Sequence, residues 1–127
     1  MSDKEIEEII QAKGLTAARV TPDDVEAVIV GEIYIVPNDS NIYQDGAHAS
    51  GEFDEQKIKQ TTICMLTLMN GFTVTGINNG PVSGANFDGE LARKLAREKA
   101  VDQIWPLLGY QLKERLWAQS QVPKINT

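Results

Sequence analysis

A dipeptide near the middle of the chain restricts the fold more than any other feature of the sequence. Asn70-Gly71 separates two runs that are rich in β-branched and large apolar residues. This dipeptide between such runs is the strongest short-range signal of a β-hairpin. We therefore expect two strands, over residues 60–69 and 72–76, joined by a tight turn.

The register of this hairpin can be chosen from the distribution of its apolar side chains. A two-residue loop would place Met65, Thr67 and Met69 on the same face as Phe72 and Val74. A three-residue loop would instead place Cys64, Leu66 and Leu68 on that face. The second register separates apolar from polar residues better, so we expect a bulge near the turn.

Helix signals flank this hairpin on both sides. Ser2 and Glu5 fit a capping box ahead of a helix over about 3–13, and Thr21-Pro22 begins a second helix that ends near Val30-Gly31. A third strand is predicted over 32–36, followed by a long polar loop over 37–56. After a glycine-rich segment, Asn86 is predicted to cap a helix over 87–104.

The C-terminal part of the chain is predicted to be helical with a break at Pro106, because proline lacks a donor and crowds the preceding turn. Phe87, Leu91 and Leu95 should form the apolar face of the helix before it, with Arg93 and Arg97 on the opposite face. A last helix is expected over 107–118. The fold class is therefore α+β: a small antiparallel sheet packed against N-terminal and C-terminal helices, in a single domain over 1–118 with a flexible tail over 119–127.

Composition and charge narrow the function classes. The chain has 127 residues, a net charge of −6 and one cysteine, so a disulfide within the chain is impossible and a reducing, cytoplasmic setting is expected. Residues 1–58 carry 13 acids and 4 bases, whereas residues 59–127 carry 5 acids and 8 bases. This balance disfavours general nucleic-acid binding but leaves room for a small anion on the basic half.

Several strings resemble a family of small tailed-phage proteins, the phage gene product forty-nine / gene sixty-six family. The strongest are Asn-Gly-Phe-Thr-Val-Thr-Gly from Asn70, Asn-Phe-Asp from Asn86, and Ile-Trp-Pro-Leu from Ile104, with Ala12-Lys13-Gly14 near the N-terminus. The resemblance covers most of the chain outside residues 37–56. It implies a phage or prophage origin and an accessory role, and it implies no established chemistry.

Catalytic and metal sites are disfavoured by the residues themselves. Cys64 lies in an apolar strand, where an inert buried thiol is usual, and the only histidine, His48, lies in the polar loop. Asp45, His48 and Glu52 are spaced for one helix face, but the glycines and serine around them argue against a helix there. We therefore predict no catalytic residue, no metal and no cofactor.

The best candidate for a ligand site is a pair of arginines. Arg93 and Arg97 lie one helical turn apart, and arginine forks bind phosphate oxygens bidentately. Nearby aromatic and polar side chains would complete a nucleotide site, which gives this set of predicted ligand residues: Arg93, Arg97, Trp105, Asn86, Phe72, Thr75 and Tyr110. The alternative is a solvated helix face on which Glu90 and Glu98 pair with the arginines.

Function follows from these candidates as a hypothesis. We expect an accessory protein that binds in the host cytoplasm, most concretely an anti-defence protein that sequesters a nucleotide immune signal. Two alternatives stay open: an inhibitor that binds a host protein through the acidic N-terminal half, and a metal-dependent enzyme that processes a nucleotide. The exposed edges expected of a small sheet also predict a homo-oligomer.

Overall fold

A computed structural model describes residues 2–37 and 49–123, and this part of the chain divides into two compact units. One unit contains residues 2–28 and 103–123, and the other contains the described residues between 29 and 102. The first is helical, and the second holds the sheet. The α+β class predicted from the sequence is confirmed.

The helical unit is built from α1 (Asp3–Ala12), α2 (Pro22–Ala27) and α5 (Ile104–Ser120). Both N-terminal helices begin with a capping box, in which the Ser2 or Thr21 side chain accepts from a backbone N–H and the Glu5 or Asp24 carboxylate accepts in return. These reciprocal bonds satisfy donors that a helix start otherwise leaves without partners. Glu7 binds Arg19 with both carboxylate oxygens, at 2.5 and 2.7 Å, and so ties α1 to the chain that precedes α2.

The sheet unit contains three antiparallel strands in the order β1 (Ile29–Ile35), β2 (Thr62–Leu68) and β3 (Thr73–Asn78). The short helix α3 (Glu55–Lys59) precedes β2, and a 3₁₀ turn (Gly84–Asn86) precedes α4 (Gly89–Asp102). β1 begins at Ile29, so the prediction of a helix reaching Val30 is wrong. The apolar run Val28-Ile29-Val30 suits either structure, and pairing with β2 decides it.

The hairpin register agrees with the three-residue loop. Leu66 pairs with Val74 and Cys64 with Gly76, while the Leu68 N–H donates to the Phe72 carbonyl at 2.8 Å. Gly71 has a φ of 87°, which is the left-handed conformation that closes such a loop with a bulge. Cys64, Leu66, Leu68 and Val74 are all buried on one face of the sheet, so the prediction is confirmed.

Helix α4 covers this face at very short range. A Cβ atom on Gly76 would lie 2.1 Å from the Ala96 carbonyl oxygen and 2.4 Å from the Ala100 nitrogen. The buried residues of α4 are accordingly Ala92, Ala96, Ala100 and Val101. Leu91 and Leu95, which were predicted to line the apolar face of this helix, do not form its buried face, since Leu91 is 52% exposed. Small residues allow two backbones to meet, and large ones would hold them apart.

The boundaries of the last two helices also differ from expectation. The break between them falls at Gln103, and α5 begins at Ile104 rather than at residue 107. Pro106 lies in the first turn of α5, where the missing N–H has no intrahelical partner to lose. Proline therefore marks the beginning of this helix and does not interrupt one.

Candidate functional site

The start of α4 is fixed by an aspartate. The Asp88 carboxylate accepts hydrogen bonds from the backbone N–H groups of Glu90 and Leu91, at 3.0 and 3.2 Å. Asn86 instead closes the 3₁₀ turn and is exposed, so its predicted role as the cap of the long helix is wrong. A carboxylate at this helix start takes up the N–H groups that an anionic ligand would need.

Arg93 and Arg97 lie on the flank of α4 that is nearer β1. Arg97 Nε donates to Glu32 Oε1 at 3.4 Å, and Glu32 lies on the adjacent strand β1. Ala100, which follows Arg97 by almost one helical turn, is fully buried, so the arginines lie beside the packed face of α4. Because the alanine face of α4 packs against Gly76, the Arg97 side of the helix lies next to β1.

Glu32 is held in turn by Tyr34. The Tyr34 hydroxyl donates to Glu32 Oε2 at 2.6 Å, so one carboxylate joins a tyrosine and an arginine that are far apart in sequence. Burial, followed by this hydrogen bond to Glu32, raises the pKa of Tyr34. The phenol therefore remains a hydrogen-bond donor across the physiological range, and the row Tyr34–Glu32–Arg97 fixes the Arg97 side chain.

Arg93 differs from Arg97 in its surroundings. Its side chain is exposed, and within the described residues it forms no hydrogen bond or ion pair. Arg97 is 28% exposed and already bound to a carboxylate. Of the two predicted arginines, Arg93 is therefore the one whose guanidinium fork is accessible to a ligand.

Cys64 lies beneath this row and is fully buried. Loss of hydration raises the pKa of its thiol, and the Tyr34 hydrogen bond opposes that change only in part. A protonated, enclosed thiol is a poor nucleophile because the thiolate is the reactive form. The residue is best understood as a packing residue of β2.

Phe72 and Thr75 belong to the same unit as the arginines but take different positions. Phe72 follows the hairpin loop and is exposed. Thr75 lies within β3, opposite Met65, on the sheet face away from α4. The structure therefore does not place Thr75 on the side of the sheet where the arginines lie.

Trp105 and Tyr110 belong to α5 in the helical unit. The indole Nε1 of Trp105 donates to Asp3 at 3.1 Å, and the ring lines a cleft with Ile6, Ile10 and other apolar residues. Tyr110 is 73% exposed. The Trp105 ring is thus engaged with α1, whereas Tyr110 offers an accessible aromatic surface.

The three residues that share a helical spacing in the polar loop can be located only in part. Asp45 and His48 lie outside the described residues, and Glu52 is exposed. Among residues 2–37 and 49–123, no three His, Cys, Asp or Glu side chains are placed to hold a metal ion.

Sequence reasoning missed Glu32 and Tyr34 as neighbours of the arginines. A signal was present, because a carboxylate and a phenol on alternate positions of an otherwise apolar strand must share one face. The partner of that face lies 65 residues away at Arg97, and no local pattern reveals it.

The family model of the phage protein (N4 Gp49/phage Sf6 gene 66) family matches residues 20–116. The match begins just before α2, includes the whole sheet unit and ends within α5. The chain therefore belongs to this family of phage proteins, as its sequence strings indicated. The comparisons with curated proteins and with solved structures returned no match.

Among residues 2–37 and 49–123, no helix is both long enough and apolar enough to cross a membrane.

Proposed function

We propose that this phage protein is an accessory protein that acts on the host by binding, and that it sequesters a nucleotide immune signal. The accessible guanidinium of Arg93 carries the proposal. It projects from the flank of α4 beside an arginine that Glu32 and Tyr34 hold in place. An arginine fork of this kind binds phosphate oxygens with two parallel hydrogen bonds.

Two further features support binding over catalysis. The cysteine thiol is buried and its pKa is raised, which does not suit a nucleophile. The carboxylate that binds Arg97, that of Glu32, also accepts a hydrogen bond from Tyr34. These residues are arranged to hold charge in place, and a general base would need its carboxylate open to a substrate.

The first experiment is a thermal-shift screen of the full chain against cyclic di- and trinucleotides, ADP-ribose derivatives and NAD. A ligand at a hundredfold excess over Kd stabilises the folded state by about 2.7 kcal/mol. Heating should then release the ligand, and mass spectrometry should find it unchanged. An altered ligand would identify a nucleotide-processing enzyme instead, and no shift with any nucleotide would contradict the proposal.

Variants of the arginine flank test the site itself. We expect Arg93→Ala to weaken binding of the ligand found in the screen at least tenfold. Arg97→Ala should have a smaller effect, because this guanidinium is already bound to Glu32. Arg115→Ala removes an exposed arginine from α5 and serves as the control. Equal ligand affinities for the Arg93 and Arg115 variants would show that Arg93 does not bind the ligand.

A second candidate is a host-protein inhibitor that uses an acidic surface. Asp23 and Glu26 are exposed on α2, and this observation favours a contact with a basic partner. Asp24 belongs to the capping box, so the test variant should leave it intact. Co-purification of a host protein that is lost in Asp23→Asn with Glu26→Gln would support this candidate, and retention in the double variant would exclude it.

A further inference from the structure

A cleft in the helical unit combines apolar walls with a charged rim. It is formed by α1, by the chain that leads into α2 and by the first turn of α5, and it is lined by Asp3, Ile6, Glu7, Ile10, Val20, Pro22 and Trp105. The isoleucines, the valine, the proline and the indole ring provide apolar surface. Both charged residues of the lining are acids. The cleft therefore suits a group that is apolar along its length and positively charged at one end.

The two acids of the rim differ in what they can still bind. Both carboxylate oxygens of Glu7 accept from Arg19, so the charge of Glu7 is already compensated. Asp3 Oδ2 accepts from Trp105 Nε1 at 3.1 Å, and this neutral donor leaves the negative charge of Asp3 in place. Asp3 Oδ1 has no hydrogen-bond partner among residues 2–37 and 49–123. The rim therefore offers one carboxylate oxygen and one uncompensated charge.

This arrangement favours a lysine side chain over an arginine side chain. An arginine fork binds a carboxylate best with two parallel hydrogen bonds, which need both oxygens, whereas a lysine ammonium is a compact charge that can bind one oxygen. An ammonium group at Asp3 would also lie beside the Trp105 ring, and tryptophan is the aromatic residue that attracts cations most strongly. The methylene stem of lysine packs readily along apolar surface while its charged end remains in water.

The size of the cleft limits its ligand to a group of about one side chain. Its volume is about 250 Å³, whereas pockets that enclose a small-molecule ligand usually hold about 300–1,000 Å³. A lysine side chain of a protein fits this space, and a whole nucleotide does not. The charge of the surrounding sequence agrees with a basic partner, because residues 1–28 carry seven acids and three bases.

We propose that this cleft receives a lysine side chain of a basic partner protein, with the methylene stem against the apolar walls and the ammonium group on Asp3 Oδ1. The proposal rests on the second candidate function, the inhibitor of a host protein, and names the group that it recognises. Pro22 lines the cleft and directly precedes Asp23 of the acidic surface on α2. The lysine would fix the partner at one point, while Asp23 attracts the basic residues around it.

The first test uses blocked tripeptides in which lysine, norleucine or arginine stands between two glycines. Norleucine keeps the stem of lysine without its ammonium group. NMR of the full chain follows the indole N–H signals of Trp105 and Trp117, and the lysine peptide should shift the Trp105 signal saturably in the millimolar range. The norleucine peptide should bind at least about tenfold more weakly, because it lacks the charge-assisted hydrogen bond. Equal affinities for these two peptides, tighter binding of the arginine peptide, or equal shifts of both indoles would overturn the proposal.

A matched pair of variants separates the cleft from general electrostatic attraction. Asp3→Asn keeps an oxygen for the Trp105 indole and removes the charge, whereas Glu8→Gln removes the same charge from an exposed position of α1 outside the lining. We expect Asp3→Asn to weaken binding of the lysine peptide about tenfold and Glu8→Gln to weaken it far less. Equal losses in the two variants would show that the peptide responds to net charge alone, which contradicts the proposal.

A second pair of variants blocks the interior of the cleft. Ile6 and Ile9 are 43% and 41% exposed on α1, and of these two only Ile6 lines the cleft. Ile6→Phe should lower the affinity for the lysine peptide about tenfold, because the larger ring takes the space of the stem, and Ile9→Phe should leave it unchanged. Circular dichroism should show that both variants fold. Equal peptide affinities would remove the cleft as the binding site.

Co-purification of a host protein with the same variants distinguishes this proposal from the function on which it rests. A host protein that is lost in Asp23→Asn with Glu26→Gln and also in Ile6→Phe would support both. Retention in Ile6→Phe alone would overturn the cleft and keep the second candidate function. Binding of the lysine peptide without any co-purifying host protein would keep the lysine site and overturn that function.

Discussion

The two units are stabilised by different kinds of contact. In the sheet unit, the backbone of β3 meets the backbone of α4 at Gly76, with no room for a methyl group. In the helical unit, capping boxes fix the starts of α1 and α2, and the Glu7–Arg19 pair ties α1 to the chain before α2, all through side chains near the surface. The sheet unit should therefore respond to changes in volume, whereas the helical unit should respond to changes in charge.

The largest effect is expected at Gly76. A methyl group in Gly76→Ala would overlap the Ala96 carbonyl and the Ala100 nitrogen, so the helix must move away from the sheet. We expect a loss of about 3 kcal/mol in the free energy of unfolding, measured by urea denaturation. Gly109→Ala is the matched control, because its methyl group meets open space on α5 and should add about 0.5–1 kcal/mol.

A smaller effect is expected where the chain enters α4. Asp88→Ala removes the acceptor for two backbone N–H groups and should cost about 1 kcal/mol in the same measurement. Asn86→Ala, two residues earlier, should leave stability within about 0.5 kcal/mol of the original protein. A larger loss of stability for Asn86→Ala than for Asp88→Ala would instead identify Asn86 as the cap of the helix.

A gain in stability is expected at Thr62, the buried polar residue at the start of β2. Its hydroxyl has no hydrogen-bond partner among the described residues, and an unsatisfied buried hydroxyl is unfavourable. Thr62→Val keeps the shape of the side chain and should raise the free energy of unfolding by about 0.5–1 kcal/mol. A loss of stability would indicate that the hydroxyl forms a hydrogen bond in solution.

The smallest effect concerns pH and the helical unit. Hydrogen bonds from Arg19 and Gln11 lower the pKa of Glu7 from 4.5 to about 2. The contribution of this pair is therefore present above pH 4.5 and is lost as pH falls toward 2. The melting temperature of Glu7→Gln should lie below that of the original protein at pH 6 and converge with it near pH 2.

The control for this pH effect is Glu8→Gln, one residue further along α1. Glu8 is exposed and forms no hydrogen bond within the described residues, so the substitution removes one carboxylate from α1 without breaking a side-chain pair. Similar slopes for the Glu7 and Glu8 variants would show that the Arg19 pair does not contribute in solution.

Sequence patterns predicted the features that depend on neighbours along the chain. The hairpin, its three-residue loop and both capping boxes follow from residues within a few positions of each other. The register follows from the need for Leu66, Leu68 and Val74 to share one face, and these residues are buried together. Such features are local in physical origin, so local reasoning reaches them.

The features that were missed depend on distant parts of the chain. Helical periodicity predicted that Leu91 and Leu95 line the apolar face of α4. In the structure, Gly76 on β3 lets the alanine face of α4 pack against the sheet instead. In the same way, Arg97 was predicted as a phosphate ligand, whereas in the structure it donates a hydrogen bond to Glu32 on β1. The residue types of the candidate site were therefore predicted from the sequence, whereas the hydrogen bond between Arg97 and Glu32 was not.

The Lys99 ammonium donates to the Ile77 carbonyl at 3.0 Å, on the outer edge of β3. This bond occupies a backbone acceptor that an added strand would need, and it places a positive charge at the edge. The same lysine that joins α4 to β3 therefore opposes growth of the sheet on that side.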